Sequence, residues 1–153
     1  MNLPLIIKAE KRDLPVLNSI SVAAKSFWQY PPEWISNWMA DLTMKESDLL
    51  NHEVWKVCDD QGIAGFCAIQ ENEDNYEINH FWIKPEAIGK GYGKRLLQYV
   101  LDQVVIKSKP VVVVSDPHAE SFYKRFGFVT TDQVESTPRG RYLPVMVLMK
   151  ESH

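Results

Sequence analysis

The sequence predicts a mixed α/β (α+β) domain, with helices packed on a mixed sheet. Two observations carry this. Residues 53–84 hold three short strand-like segments separated by polar turns, which reads as a meander. After Pro85 the pattern switches to helix, strand, helix, strand, strand, a succession that packs helices on a sheet. A length of 153 residues suits one such domain over 1–153.

The elements follow in order. Residues 3–8 are a short apolar run, a first strand. Asp13 can cap a helix, with Pro15 tolerated near its first turn and apolar residues reaching to about residue 26. Pro31 and Pro32 break that helix and open a second, whose Trp34, Ile35, Trp38, Met39 and Leu42 form one apolar stripe. Residues 53–58 and 63–70 read as a hairpin around Asp59-Asp60-Gln61-Gly62, and residues 76–84 as a third strand ended by Pro85. Gly89, Gly91 and Gly93 open a helix in which Leu96, Leu97, Val100, Leu101, Val104 and Val105 repeat with a period near 3.6. Val111 to Val114 are four β-branched residues in succession, a strand buried on both faces. Asp116 caps a helix running to about residue 126, with Gly127 at its end. Residues 128–133 and 142–150 complete the set as two strands around a loop.

Composition removes several classes. Hydrophobic residues are 45% and charged residues 24%, so the chain is neither disordered nor fibrous. The formal net charge is −3, without the basic excess that phosphate neutralisation requires, so no nucleic-acid partner is expected. No apolar run reaches the ~20 residues of a bilayer span, and the first ten residues lack a signal-peptide pattern. The two cysteines, Cys58 and Cys67, have no metal or redox spacing and read as buried free thiols. A cytoplasmic protein without membrane or metal is the expectation.

Three of the seven glycines fall at residues 89, 91 and 93, between a strand and a helix. Helix-start amides are unpaired and carry the positive end of the dipole. Without side chains in the way, a phosphate or pyrophosphate can approach them closely. Lys90, Lys94 and Arg95 add positive charge. A tight packing turn is the other reading of the same glycines. The Walker spacing fails, because Ile88 and Arg95 stand at its ends. The dinucleotide fingerprint fails, because Lys94 stands where its third glycine belongs. Gly91 and Gly93 do fit an acyl-CoA pyrophosphate loop.

The surroundings extend that fit. Phe81-Trp82-Ile83-Lys84-Pro85 leads into the loop, and Asp116-Pro117-His118-Ala119-Glu120-Ser121-Phe122-Tyr123 continues to Gly127-Phe128 about twenty-five residues later. Together these blocks resemble the two motifs of the GNAT superfamily of acetyl-CoA-dependent N-acetyltransferases, over nearly the whole chain. The resemblance implies a mostly antiparallel sheet of six to seven strands flanked by about four helices. It implies acetyl-CoA as acyl-donor cosubstrate, held by Phe81, Trp82, Ile83, Ile88, Gly89, Lys90, Gly91, Tyr92, Gly93, Lys94, Asp116, Ala119 and Phe122. Ile88 departs from the Arg or Gln usual in the family, and Asp116 from its usual Asn. The pyrophosphate is held mainly by backbone amides, and Asp caps a helix as well as Asn does.

Direct acetyl transfer to an amine needs a base for the amine proton, a donor for the oxyanion and a proton for the departing thiolate. Tyr123 is the candidate acid, since a phenol pKa of ~10 lies near the ~8.5 of a thiol and the family's tyrosine at this position lies beside the sulfur. Glu77 is the candidate base by resemblance to the histone-acetylating branch. Strand alternation puts residues 77, 79, 81 and 83 on one face and the rival base, His80, on the other. The Ile83 amide is the expected oxyanion donor, at a point where the family's strand splays. In the family the first two helices line the acceptor cleft. Phe27, Trp28 and Tyr30, at the break between them, become candidate acceptor contacts. Arg141, in the loop between the last strands, is either a carboxylate contact or part of a solvated hairpin tip. The acceptor class is a small-molecule or peptide amine, and the protein is expected to be a monomer or homodimer. A non-catalytic acyl-CoA-binding module and an unrelated phosphate-ligand binder are the alternatives.

Overall fold

The computed structural model describes residues 4–149. Leu3 and Lys150, read as ends of the first and last strands, lie outside the described residues. The strands are β1 (Leu5–Lys8), β2 (Glu53–Asp59), β3 (Gly62–Glu71), β4 (Tyr76–Ile83), β5 (Pro110–Val114), β6 (Val129–Ser136) and β7 (Arg141–Met149). They form one seven-stranded sheet in the order β1-β2-β3-β4-β5-β7-β6. Every pairing is antiparallel except β4 with β5. The helices are α1 (Leu14–Ser26), α2 (Pro32–Leu42), α3 (Glu46–Asn51), α4 (Tyr92–Tyr99) and α5 (Glu120–Arg125). A mixed, mostly antiparallel sheet flanked by helices is therefore what forms.

The sheet carries an apolar layer on each face. Val57, Cys67, Ile69, Tyr76 and Ile78 pack with Leu96, Leu97, Val100 and Leu101 of α4 and its extension. Val54, Phe66 and Ala68 pack with Leu17 and Ile20 of α1 and with Met44. Leu17, Leu96 and Leu97 are fully buried, and each such side chain contributes about 1.5–3 kcal/mol. Helix α4 continues as a π-helical turn over Val100–Val104, closed by the Val105 amide on the Val100 carbonyl at 3.0 Å.

Several details differ from the sequence reading. Helix α3 was not expected; the Lys45 amide donates to the Asp48 carboxylate at 2.7 Å, but none of its residues is buried. Asp13 makes no side-chain cap on α1; its carboxylate instead accepts from the Glu10 amide at 2.8 Å. It also accepts from the Lys56 ammonium at 2.8 Å, and these contacts hold its pKa below the usual carboxylate range against burial. Strand β6 runs on to Ser136 and β7 starts at Arg141, so the connection is only residues 137–140. Among the described residues no helix is long and apolar enough to cross a membrane.

Candidate active site

The parallel ladder between β4 and β5 spans only Tyr76–Val111, Glu77–Val112 and Ile78–Val113. Beyond it the strands part, and a cleft of about 570 Å³ opens between them. The parting begins earlier than Ile83, where the sequence reading put it. The Lys84 amide bonds to the Ala64 carbonyl at 2.8 Å, toward β3. Alternation along an antiparallel pair then turns the Ile83 and Phe81 amides to the opposite edge, into the cleft.

A β-bulge shapes the same strand. Ala68 pairs with His80 and Ile69 with Ile78, so Asn79 is the extra residue. It reverses the alternation: Tyr76 and Ile78 share the α4 face with Phe81 and Ile83, not with His80 and Trp82. The expected grouping of residues 77, 79, 81 and 83 is corrected accordingly. Glu77 lies on the same face as His80, and it is not among the residues lining the cleft, whereas His80 and Asn79 are.

The glycine turn forms one end of the cleft. Gly89 and Gly91 adopt φ of +87° and +82°, which L side chains rarely take, and Gly91 precedes the first residue of α4. Ile88, Gly89, Gly91, Tyr92, Gly93 and Lys94 all line the cleft. A β-carbon on Gly93 would make ordinary contacts, 3.5 Å from Ile83 and 3.6 Å from Phe122, so the start of α4 lies against the strand and α5. Lys90 is exposed and outside the lining, and burial together with the Asp59 carboxylate raises the Tyr92 pKa.

Tyr123 closes the floor from α5. It is 4% exposed, with its ring against Phe81, Phe122 and Phe128. Burial pushes its phenol far above the usual range, so the hydroxyl keeps its proton. Cys67, fully buried in the same layer, has its thiol raised by burial as well and is no nucleophile. Ala119, Phe122 and Trp82 also line the cleft.

The wall opposite the glycines is an ionic and aromatic cluster centred on Asp116. Its carboxylate takes an ion pair from Lys25, hydrogen bonds from the Tyr30 hydroxyl at 3.1 Å and the His118 amide at 2.9 Å, and lies 3.6 Å from Arg141. Burial works to raise its pKa, but the Lys25 ammonium and the His118 contacts outweigh it and hold it at about 2. Burial lowers the Lys25 pKa, and Asp116 opposes that shift. The Lys25 ammonium sits 4.7 Å from the centre of the Trp38 ring and 5.1 Å from that of Tyr30.

Arg141 belongs to this cluster rather than to an exposed tip. Its side chain is 11% exposed, donates to the Tyr30 hydroxyl and to Ser136 Oγ at 3.2 Å, and stacks 4.6 Å over Trp38. Neither it nor Tyr30 lines the cleft. Trp28 does, stacked on His118 at 4.3 Å, while Phe27 meets Trp28 edge-on and lies outside the lining. Sequence reasoning missed Lys25 and His118. Lys25 falls four and eight residues after the buried Ser21 and Leu17, a stripe position, which was its signal. Among the described residues no group of three or more His, Cys, Asp or Glu could hold a metal.

Comparison with known proteins gives the same outline. The family described as the acetyltransferase (GNAT) domain matches residues 29–146. No curated protein matches the sequence. Among solved structures, the chain is similar to the Escherichia coli ribosomal-protein-S18-alanine N-acetyltransferase, at 17% identity and a TM-score of 0.73, covering 99% of this chain and 96% of that one. The PaiA N-acetyltransferase of Thermoplasma acidophilum, solved with coenzyme A, has 19% identity and a TM-score of 0.76 over 95% and 98% of the chains. YncA of Salmonella typhimurium, solved with acetyl-CoA, has 20% identity and a TM-score of 0.68 over 98% and 95%.

Proposed function

Because the chain belongs to the GNAT acetyltransferase family, we propose that it carries an acetyl group from acetyl-CoA to a primary amine of a small molecule or peptide, by direct attack, with residues 1–153 acting as one acyltransferase domain. One observation carries the reading: the glycine turn, the free edge of β4 and the Tyr123 ring all border the same cleft.

Each part has a task there. The amides around Gly89, Gly91 and Gly93, at the start of α4, suit a diphosphate, and Lys94 supplies charge. Ile88 adds no hydrogen bond, so the backbone does that work. The cleft-facing amides of Phe81 and Ile83 suit the amide groups of a pantetheine arm and the oxyanion that develops as the thioester carbonyl is attacked. The Tyr123 hydroxyl, kept protonated by burial and so no longer matched to a thiol in pKa, suits a hydrogen bond to the departing thiolate. Phe122 and Ala119 give the arm an apolar floor, and Trp28 gives the acceptor an aromatic wall.

Calorimetric titration with acetyl-CoA, with CoA and ADP as controls, tests the cofactor. Micromolar binding that needs the pantetheine arm is expected. An amine panel read by thiol release then tests transfer. Equal affinity for ADP and acetyl-CoA would favour a nucleotide phosphate binder, and tight acetyl-CoA binding without thiol release would favour a non-catalytic module.

A further inference from the structure

Two histidines line the cleft, and their hydrogen bonds hold them in opposite tautomers. The Trp82 indole donates to His80 Nδ1 at 3.1 Å. An indole nitrogen only donates, so Nδ1 carries the lone pair and the neutral ring keeps its proton on Nε2. Protonating His80 would set two N–H groups against each other. Burial favours the neutral ring too, as does the charge of His52, while Asp48 and Asp41 pull the other way. His80 is thus a donor through its Nε2 and has no free lone pair.

His118 is arranged in the reverse sense. Its Nδ1 lies 2.8 Å from Asp116 Oδ1. That carboxylate is ionised near neutral pH and only accepts, so Nδ1 carries the proton. The Tyr30 hydroxyl lies 3.1 Å from the same Nδ1 but accepts from Arg141 and donates to Asp116, so it does not displace that proton. Nε2 therefore holds the lone pair, on the ring edge away from Asp116. Trp28 fixes the ring plane, 5° from parallel. The His118 side chain stays 40% exposed in the cleft while its carboxylate partner is 10% exposed. A buried carboxylate on Nδ1 orients the imidazole and leaves Nε2 open to the cleft. Lys25 and Arg141 are the other charges held at Asp116.

Building on the acetyl-transfer reading of this cleft, we propose that His118, oriented by Asp116, takes the proton of the acceptor amine, a role that Glu77 and His80 do not fill. An amine N–H bond breaks and the Nε2–H bond forms. The amine electron pair makes the new C–N bond to the acetyl carbon. The C–S bond breaks with its pair on sulfur, which Tyr123 faces with its hydroxyl, and the imidazolium returns its proton to solvent.

Two measurements test this. Long-range ¹⁵N–¹H spectra of the unliganded protein at neutral pH read histidine tautomers without any turnover. His118 is expected as Nδ1–H and His80 as Nε2–H; His118 found as Nε2–H overturns the proposal. In steady-state assays on whichever amine the panel identifies, His118→Gln is expected to lower kcat by about 10²-fold or more, with the KM for acetyl-CoA within twofold. A folded His118→Gln protein that keeps kcat within threefold overturns the role while leaving the transferase reading intact. Failure of the unsubstituted protein to bind acetyl-CoA overturns the transferase reading, and the role with it.

Discussion

Replacing Asp116 by Asn keeps the shape of the side chain and its ability to accept from the His118 amide, but removes its charge. Lys25 and Arg141, each about nine-tenths buried, then face each other without an anion. Removing one partner of a buried pair costs about 3–5 kcal/mol, because the remaining charge stays desolvated. Against a total stability of about 5–15 kcal/mol that is a large fraction. The double variant Lys25→Met/Asp116→Asn removes the Lys25–Asp116 pair, fits a methionine among Tyr30, Trp38 and Trp82, and leaves Arg141, still bonded to Tyr30 and Ser136, as the one buried charge. It is expected to lose less than the single variant, because one buried cation rather than two is left without its anion. Urea denaturation at pH 7, followed by tryptophan fluorescence, gives the values. At an m-value of about 2 kcal/mol/M, the single variant's midpoint falls by roughly 2 M and the double variant's by less. The acid limb supplies a second reading. A carboxyl moved from 3.8 to about 2 by folding stabilises the protein above pH ~4 and loses that stabilisation as pH falls toward 2. The amount is at most about 2 kcal/mol, since solvent reaches part of the carboxylate, and both variants lack it. An Asp116→Asn loss below about 1 kcal/mol at pH 7, or a double variant no better than the single one, would refute the reasoning.

Tyr123→Phe removes only a hydroxyl from a packed ring; kcat for acetyl transfer is expected to fall about 10²-fold with acetyl-CoA affinity unchanged, and an unaltered kcat would remove Tyr123 from the chemistry. Gly91→Ala forces a β-carbon into φ +82° with open space around it, so its cost is conformational, about 1–2 kcal/mol, seen as a Tm lower by roughly 2–8 °C and weaker acetyl-CoA binding. Gly65→Ala is worse for a different reason: its β-carbon would lie 2.5 Å from the Trp82 carbonyl oxygen, which is backbone and cannot swing aside. Expression as soluble, cooperatively unfolding protein would contradict that close approach of β3 and β4.

Much of the fold is legible because single residues punctuate it. Pro32, Gly62, Pro85 and Pro110 stand at or beside element ends, and Gly91 marks the start of α4. The cofactor side of the cleft was legible for the same reason, since a glycine turn declares its backbone shape locally. The acceptor side was not. The bulge at Asn79 leaves no trace in the pattern, because Phe81, Trp82 and Ile83 are apolar in either register, so Glu77 and His80 were assigned to opposite faces. Arg141 looked like a loop residue because its strand begins with it, and only the pairing with Ser136 turns it inward. Lys25 finds Asp116 across 91 positions of sequence, a distance over which no spacing rule operates. Helix α3 buries none of its six residues, so the apolar periodicity that marks a helix was missing.

The short ladder between β4 and β5 also bears on how the protein holds together. Strands β1 to β4 form one antiparallel raft, and β5, β7 and β6 form another. Between them the sheet is continuous through three residue pairs alone. A ligand arm lying along the open edge of β4 would complete the seam, acting as a missing length of strand. Occupancy then becomes a mechanical matter as well as a chemical one: the two rafts are expected to breathe against each other when the seam is empty and to move together when it is filled, so that the donor substrate, for as long as it stays bound, is part of the sheet.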